Sequence, residues 1–200
     1  MKPTIVTLTG PACSGKSTLE KLLAINGFAP AISTTTRTPR DGETDGVDYH
    51  FVDRSHFEQM HRDGHLIEHV EFNGSYYGLG SAEISRLAEL GKPATVVCEP
   101  QGAQNIYAYA IAKQWECVRI FIDCPVEVLL QRYLQRFLND YQKSPEPATI
   151  SIFTRRLVTI VEKELLWTKS NDKYDLIIEK FTAETQSAIL RAVREITAGS

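Results

Sequence analysis

Gly10-Pro11-Ala12-Cys13-Ser14-Gly15-Lys16-Ser17 is the stretch that decides the fold. It fits the pattern G-x-x-x-x-G-K-[ST]. Before it, Thr4 to Thr9 is β-branched and apolar, is bounded by Pro3, and predicts a buried strand. After it, Ser17 to Ile25 carries Leu19, Leu22 and Leu23 at helical spacing and stops at Gly27. Strand, glycine-rich loop and helix in this order cradle a polyphosphate. The glycines let backbone N–H groups turn inward, and the helix N-terminus adds its positive end. In such a cradle Gly10 to Thr18 surround the phosphates, Lys16 reaches the β- and γ-phosphates, and the Ser17 hydroxyl ligates Mg²⁺. The motif points to a nucleoside triphosphate and leaves the reaction open.

Outward from the loop, strand-like runs alternate with helical patterns. The strands are expected at Ala94–Cys98, Val118–Ile122 and Asp175–Ile178. The helices are expected at Ser81–Leu90, Gln104–Lys113, Pro125–Leu138, Ile150–Trp167 and Thr182–Ile196. That alternation predicts an α/β fold, a parallel sheet flanked by helices with right-handed crossovers. Residues 33–48 are polar and read as a working loop, followed by a short helix at Ser55–Arg62. Leu66 to Tyr77 alternates around Asn73-Gly74, a hairpin signal. Asn139 to Pro147 (NDYQKSPEP) has two prolines and no apolar period, and predicts a mobile loop between helices.

The composition fits one domain. Of 200 residues, 42% are apolar and 24% charged, and 22 basic against 25 acidic side chains leave a net charge of −3. That balance argues against a general nucleic-acid or anionic-membrane binder. No run approaches a membrane span, and MKPTIVTLTG lacks the apolar region and cleavage site of a secretory signal. Cys13, Cys98, Cys117 and Cys124 form no C-x-x-C pair and read as reduced thiols of a cytoplasmic protein. Asn73-Gly-Ser then reads as a turn and not a glycosylation acceptor. His61, His65 and His69 invite a zinc reading, but Gly64 interrupts the helix it needs, so they read as a polar face. Trp115 and Trp167 read as packing residues.

The second informative run is Ser33-Thr-Thr-Thr-Arg37-Thr-Pro-Arg40-Asp-Gly-Glu43, followed by Gly46-Val-Asp-Tyr49-His-Phe51. Two arginines around a proline offer planar forks in a stiffened loop, suited to gripping a phosphate, and a tyrosine hydroxyl can donate to the same oxygens. Downstream, Glu68 sits in LIEHVEF, and Tyr76-Tyr77-Gly78 follows the hairpin turn. On spacing alone, a solvated basic loop beside a packed hairpin also fits.

These segments together resemble guanylate kinase, most densely over residues 5–80 and more weakly over 94–178. The resemblance implies a P-loop NTPase fold with a small inserted acceptor-binding lobe and a lid. Within one domain, the core would be 1–32, 93–136 and 157–200, the lobe 33–92 and the lid 137–156. It implies ATP-dependent phosphoryl transfer to GMP or dGMP with Mg²⁺. It makes Arg37, Arg40, Tyr49 and Tyr77 ligands of the acceptor phosphate, with Gly78 beside them, and Ser33 and Glu68 readers of the base. Guanine offers adjacent N1–H and N2–H donors that one carboxylate accepts in parallel; adenine lacks that pair and would leave a buried Glu68 unsatisfied. Arg132 and Arg136, at i and i+4, would join Arg156 on the transferring phosphoryl group, with Arg155 facing solvent.

The chain departs from the family where Asp-x-Asp usually precedes x-Gln-Gly: Val97-Cys98-Glu99-Pro100-Gln101-Gly102 stands instead. Glu99 is left to the acceptor sugar, the Mg²⁺ water shell or Lys16. After Gly78 the family carries Ser or Thr, where this chain has Leu79. The 20 positions from Arg136 to Arg156 exceed the usual lid. The changes gather around the acceptor and suggest dGMP or a modified purine deoxynucleotide over GMP. Two rivals remain: a ribose bisphosphokinase, which shares the Tyr-Tyr-Gly-x-Gly run, and a guanylate-kinase-like interaction module without catalysis. The first would not require Ser33 to Arg40 or Glu68, and the second would not keep Lys16 and Ser17.

Overall fold

The computed structural model describes residues 2–40, 42–72, 74–143, 145–169, 173–179 and 181–198. Asp41, Asn73 of the expected hairpin turn and glycosylation triplet, and Ser144 of the expected loop lie outside the described residues. The chain begins with β1 (Thr4–Thr9), α1 (Lys16–Ala24), β2 (Ala29–Pro30), β3 (Thr34–Thr35), β4 (His50–Phe51) and α2 (Arg54–Arg62). The hairpin β5 (Leu66–Phe72) and β6 (Ser75–Gly80) follows, then α3 (Ser81–Glu89), β7 (Ala94–Val97) and α4 (Pro100–Ala112). The last elements are β8 (Glu116–Ile122), α5 (Val126–Lys143), α6 (Pro147–Glu162), a 3-10 turn at Glu164–Lys169, β9 (Leu176–Ile178) and α7 (Gln186–Ala198).

Five strands form one sheet in the order β2-β7-β1-β8-β9, and every pairing in it is parallel. The central strand is apolar on both faces because helices cover both. Val6 and Leu8 point to one face and pack with Leu19, Leu23, Ile120, Ile178, Ile189 and Val193, under α1 and α7. Ile5 points the other way and packs with Ile84, Leu87, Ile106 and Ala110, under α3 and α4. Val6, Leu8, Leu19 and Leu23 are fully buried. Each such side chain stabilises the fold by about 1.5–3 kcal/mol. A third cluster, Cys124, Leu129, Tyr133 and Ile160, joins α5 and α6 and reaches Ala12 and Cys13.

Four further strands form a second sheet, β4-β3-β6-β5, within the segment inserted between β2 and α3. The run 33–48, expected as a loop, therefore holds one of its strands, β3, and β4 follows at once; two-residue strands carry no readable period. Helix α2 starts where Asp53 accepts from the backbone N–H of His56 at 2.8 Å, an N-cap.

Several boundaries differ from the sequence expectation, among them the start of α7, at Gln186 instead of Thr182. The loop Asn139–Pro147 is largely helical: α5 runs to Lys143 and α6 begins at Pro147. Gln135 bonds Asn139 one turn on, and proline is well suited to the first helical position. Helix α4 begins at Pro100 and not at Gln104, which puts Glu99 at its N-cap. The helix expected over Ile150–Trp167 ends at Glu162 and gives way to the 3-10 turn.

Candidate active site

The phosphate loop leaves the C-terminal end of β1 and runs into α1. Gly10 has φ +148°, and a Cβ there would lie 2.6 Å from the carbonyl oxygen of Ile122, so only glycine fits. Lys16 Nζ donates to the carbonyl oxygens of Gly10 at 2.6 Å and Pro11 at 2.9 Å. Burial lowers the Lys16 pKa, and the nearby Glu164 carboxylate opposes that shift. Arg132 donates to the carbonyls of Cys13 and Ser14, each at 3.2 Å, which ties α5 to the loop.

A cavity of about 1140 Å³ opens over this loop. Ala12, Cys13, Gly15, Lys16, Ser17 and Thr18 line it; Pro11 and Ser14 are buried behind it. Lys16, Arg40, Arg132, Arg136 and Arg156 face it against one carboxylate, Asp140, so the cavity favours a polyanion. Its apolar wall includes Phe137, Phe153 and Phe181. Ser17 is exposed and lines this cavity. Among the described residues no group of three His, Cys, Asp or Glu could hold a metal ion, so a metal here would take most of its ligands from phosphate and water. That donor set suits Mg²⁺ carried by a nucleotide.

A second cavity, about 240 Å³, lies toward the small sheet. Ser33, Tyr49, Glu68, Tyr77 and Glu99, all expected around the acceptor, line it together, and so does Gly10. The bulge between Leu66 and Glu68 shifts the β5–β6 register at Glu68; a bulge re-aims the side chain it carries. Gly102, in the first turn of α4, leaves room for the carboxylate: a Cβ there would lie 3.1 Å from Glu68 Oε2. Burial, and then the charge of Glu99, push the Glu68 pKa up to about 7. Burial and the neighbouring Glu164 raise that of Glu99.

Not every expected residue reaches these cavities. Arg37 lines neither. Its guanidinium is paired with Glu43 at 2.8 Å and stands 5.5 Å over the ring of Tyr49, which meets Tyr77 edge-on at 6.0 Å. Arg40 lines the larger cavity and is absent from the smaller. Gly78 is buried within the hairpin strand β6. Leu79 is fully buried in the main core, so its departure from the family pattern is a packing matter. Val97 does line the smaller cavity. Arg155 is exposed. His61 and His69 meet at 4.1 Å, without a third ligand among the described residues.

Lys16 and Arg156 line both cavities and so stand at their junction. Sequence reasoning missed the residue that fixes this junction, Glu164, which is 2% exposed. Its carboxylate holds Arg156 at 2.6 Å and accepts from the backbone N–H of Ala12 at 2.6 Å. The only sequence signal was an acid directly before the apolar run Leu165-Leu166-Trp167. Trp167, expected as a packing residue, is half-buried and lines the smaller cavity. Trp115 does pack, edge-on to Tyr109 at 6.0 Å.

Comparison with known proteins identifies the family. A guanylate kinase of Chlamydia trachomatis is 38% identical over 135 residues, which are 66% of this chain and 63% of that enzyme. This chain thus spans under two thirds of that relative's length. A guanylate kinase of Thiobacillus denitrificans is 32% identical over 196 residues, 94% of this chain and 88% of that one. The crystal structure of guanylate kinase from Anaplasma phagocytophilum superposes with a TM-score of 0.64 at 25% identity, covering 96% of this chain and 85% of that one. The family model for guanylate kinase matches residues 1–179, and the chain belongs to the guanylate kinase family.

Proposed function

We propose that the protein transfers the γ-phosphoryl group of ATP to the phosphate of GMP or dGMP, giving the nucleoside diphosphate and ADP. One observation carries this reading. Two cavities, one cationic and one holding the half-buried Glu68 carboxylate, meet at Lys16 and Arg156, where a donor and an acceptor phosphate would face each other.

In this reading the triphosphate lies along Gly10 to Thr18 in the larger cavity. The acceptor lies in the smaller one, its base edge on Glu68 and Ser33 and its phosphate toward Tyr49, Tyr77, Arg37 and Arg40. An acceptor phosphate oxygen attacks the γ-phosphorus, and the bond to the β–γ bridging oxygen breaks. Little covalent work falls to the protein; positioning and charge do most of it. Lys16, Arg132, Arg136 and Arg156 neutralise the charge that spreads over the transferring group. Mg²⁺, held by the Ser17 hydroxyl and phosphate oxygens, would add charge neutralisation and alignment of the phosphates. The segment 137–156, the end of α5 and the first part of α6, acts as the lid, excluding water that would otherwise hydrolyse ATP. All four cysteines are free thiols. No helix among the described residues is long and apolar enough to cross a membrane. We assign the reaction to the cytoplasm.

Val97 on the acceptor wall offers no hydrogen bond to a ribose hydroxyl, which favours the deoxy acceptor. A coupled ADP-release assay across GMP, dGMP, AMP and a ribose bisphosphate tests the reading. Turnover with both guanine nucleotides, dGMP at or above GMP in kcat/KM, is expected. A clear GMP preference rejects only the deoxy choice. Turnover confined to the sugar phosphate, or none at all, would favour the rival kinase or the interaction module.

A further inference from the structure

We infer that Trp167 is a specificity-determining residue that forms the aromatic wall of the acceptor pocket and lies against the purine ring of the bound monophosphate; this rests on the acceptor reading above. The observations begin with the 3-10 turn Glu164–Lys169. Residues three apart on such a turn eclipse one another, so Glu164 and Trp167 share a face. Both line the smaller cavity together with Arg156, and all three come from the C-terminal part of the chain. Ser33, Glu68 and Tyr77 line the same cavity from the inserted segment. With the phosphate loop and Val97 to Glu99, the pocket draws on four separate stretches of chain, and the C-terminal one brings an indole.

The other aromatic groups of the pocket are already engaged. Tyr49 and Tyr77 meet edge-on and gather around Arg37, the expected phosphate grip. Trp167 makes no aromatic ring contact among the described residues, yet it is half-buried and lines the cavity that also holds Glu68. A hydrogen-bonded purine edge leaves the flat faces of the ring to be covered. An indole does this well, because base–aromatic stacking is favourable for any base. Trp167 is absent from the larger cavity, so its contribution falls on the acceptor and not on ATP. Its turn also begins at Glu164, which holds Arg156 and the phosphate loop. Occupancy of the acceptor pocket would thus be felt where the two cavities join.

Only two tryptophans are present. Trp115 precedes β8 at the N-terminal edge of the sheet, whereas both cavities lie at the C-terminal edge. A W115F variant therefore makes Trp167 the sole indole reporter. Titrating GMP into W115F should change its fluorescence saturably, and ATP alone should not. W167A should raise KM for GMP about tenfold and leave KM for ATP within about twofold, while W167F restores most of the loss. Melting curves of both variants show whether the fold is kept. GMP turnover with unchanged KM in W167A, and no GMP-dependent signal in W115F, would overturn the inference and leave the acceptor reading standing. Absence of GMP turnover in the wild type would overturn both.

Discussion

The half-buried Glu68 carboxyl, proposed as the reader of the base, carries a cost in stability that depends on pH. The hairpin bulge and the bare Gly102 place its carboxyl in a half-buried pocket beside Glu99, and its pKa rises to about 7. The unfolded chain releases that proton near the ordinary value of 4.5. Between these values the folded state binds more protons than the unfolded state, so this group makes stability fall as pH rises. E68Q should therefore be no more stable than wild type at pH ~4, and more stable at pH ~8, by thermal melts. The same change should lower kcat/KM for GMP about 10²–10⁴-fold, because an amide cannot accept two parallel donors. In the wild type, kcat/KM for GMP should climb as pH passes through about 7, since only the ionised carboxylate accepts both N–H groups; the E68Q profile should lose that limb. Lys16, Ser33 and Glu68 were legible in the sequence because each sits in a dense local pattern. Glu164 was not: its partners, Ala12 and Arg156, lie 152 and 8 positions away, and no local spacing encodes that meeting.

Among the elements, α5 and α6 carry the most consequence. Their contact is aromatic. Tyr133 stacks on Phe153 at 5.0 Å and donates to its carbonyl at 3.0 Å, and Phe137 meets Phe153 at 4.1 Å. Arg132 and Arg136 come from α5 and Arg156 from α6, so this seam sets the spacing of the three arginines. F153A removes the shared ring. It should destabilise the fold by about 1–3 kcal/mol. It should also lower kcat roughly tenfold with a smaller change in KM for GMP, because the loss falls on the geometry of transfer. An unchanged kcat in a folded F153A protein would show that the seam does not place the arginines. The helices themselves were legible from apolar spacing. Their junction was not, because two prolines in NDYQKSPEP suggested a loop, while Pro147 in fact opens a helix.

For the molecule as a whole, one parallel sheet sets the phosphate loop at the C-terminal edge of β1, flanked by β7 and β8. The inserted four-stranded sheet and the C-terminal 3-10 turn both line the smaller cavity. The order of strands and helices was readable because β1, β7 and β8 are near-continuous apolar runs, buried on both faces. The small sheet was half-readable: its hairpin alternates, whereas β3 and β4 are too short to show a period. That the larger sheet and the inserted one converge on Lys16 and Arg156 is a property of the tertiary fold alone. The most direct test is a crystal structure with a bisubstrate inhibitor, a guanosine and an adenosine joined by a polyphosphate. The guanine should lie on Glu68, with its first phosphate beside Tyr49, Tyr77, Arg37 and Arg40. The remaining phosphates should run along Gly10 to Ser17, with Lys16 and Arg156 at the link. A guanine outside the smaller cavity, or a chain of phosphates that bypasses Lys16, would contradict this arrangement.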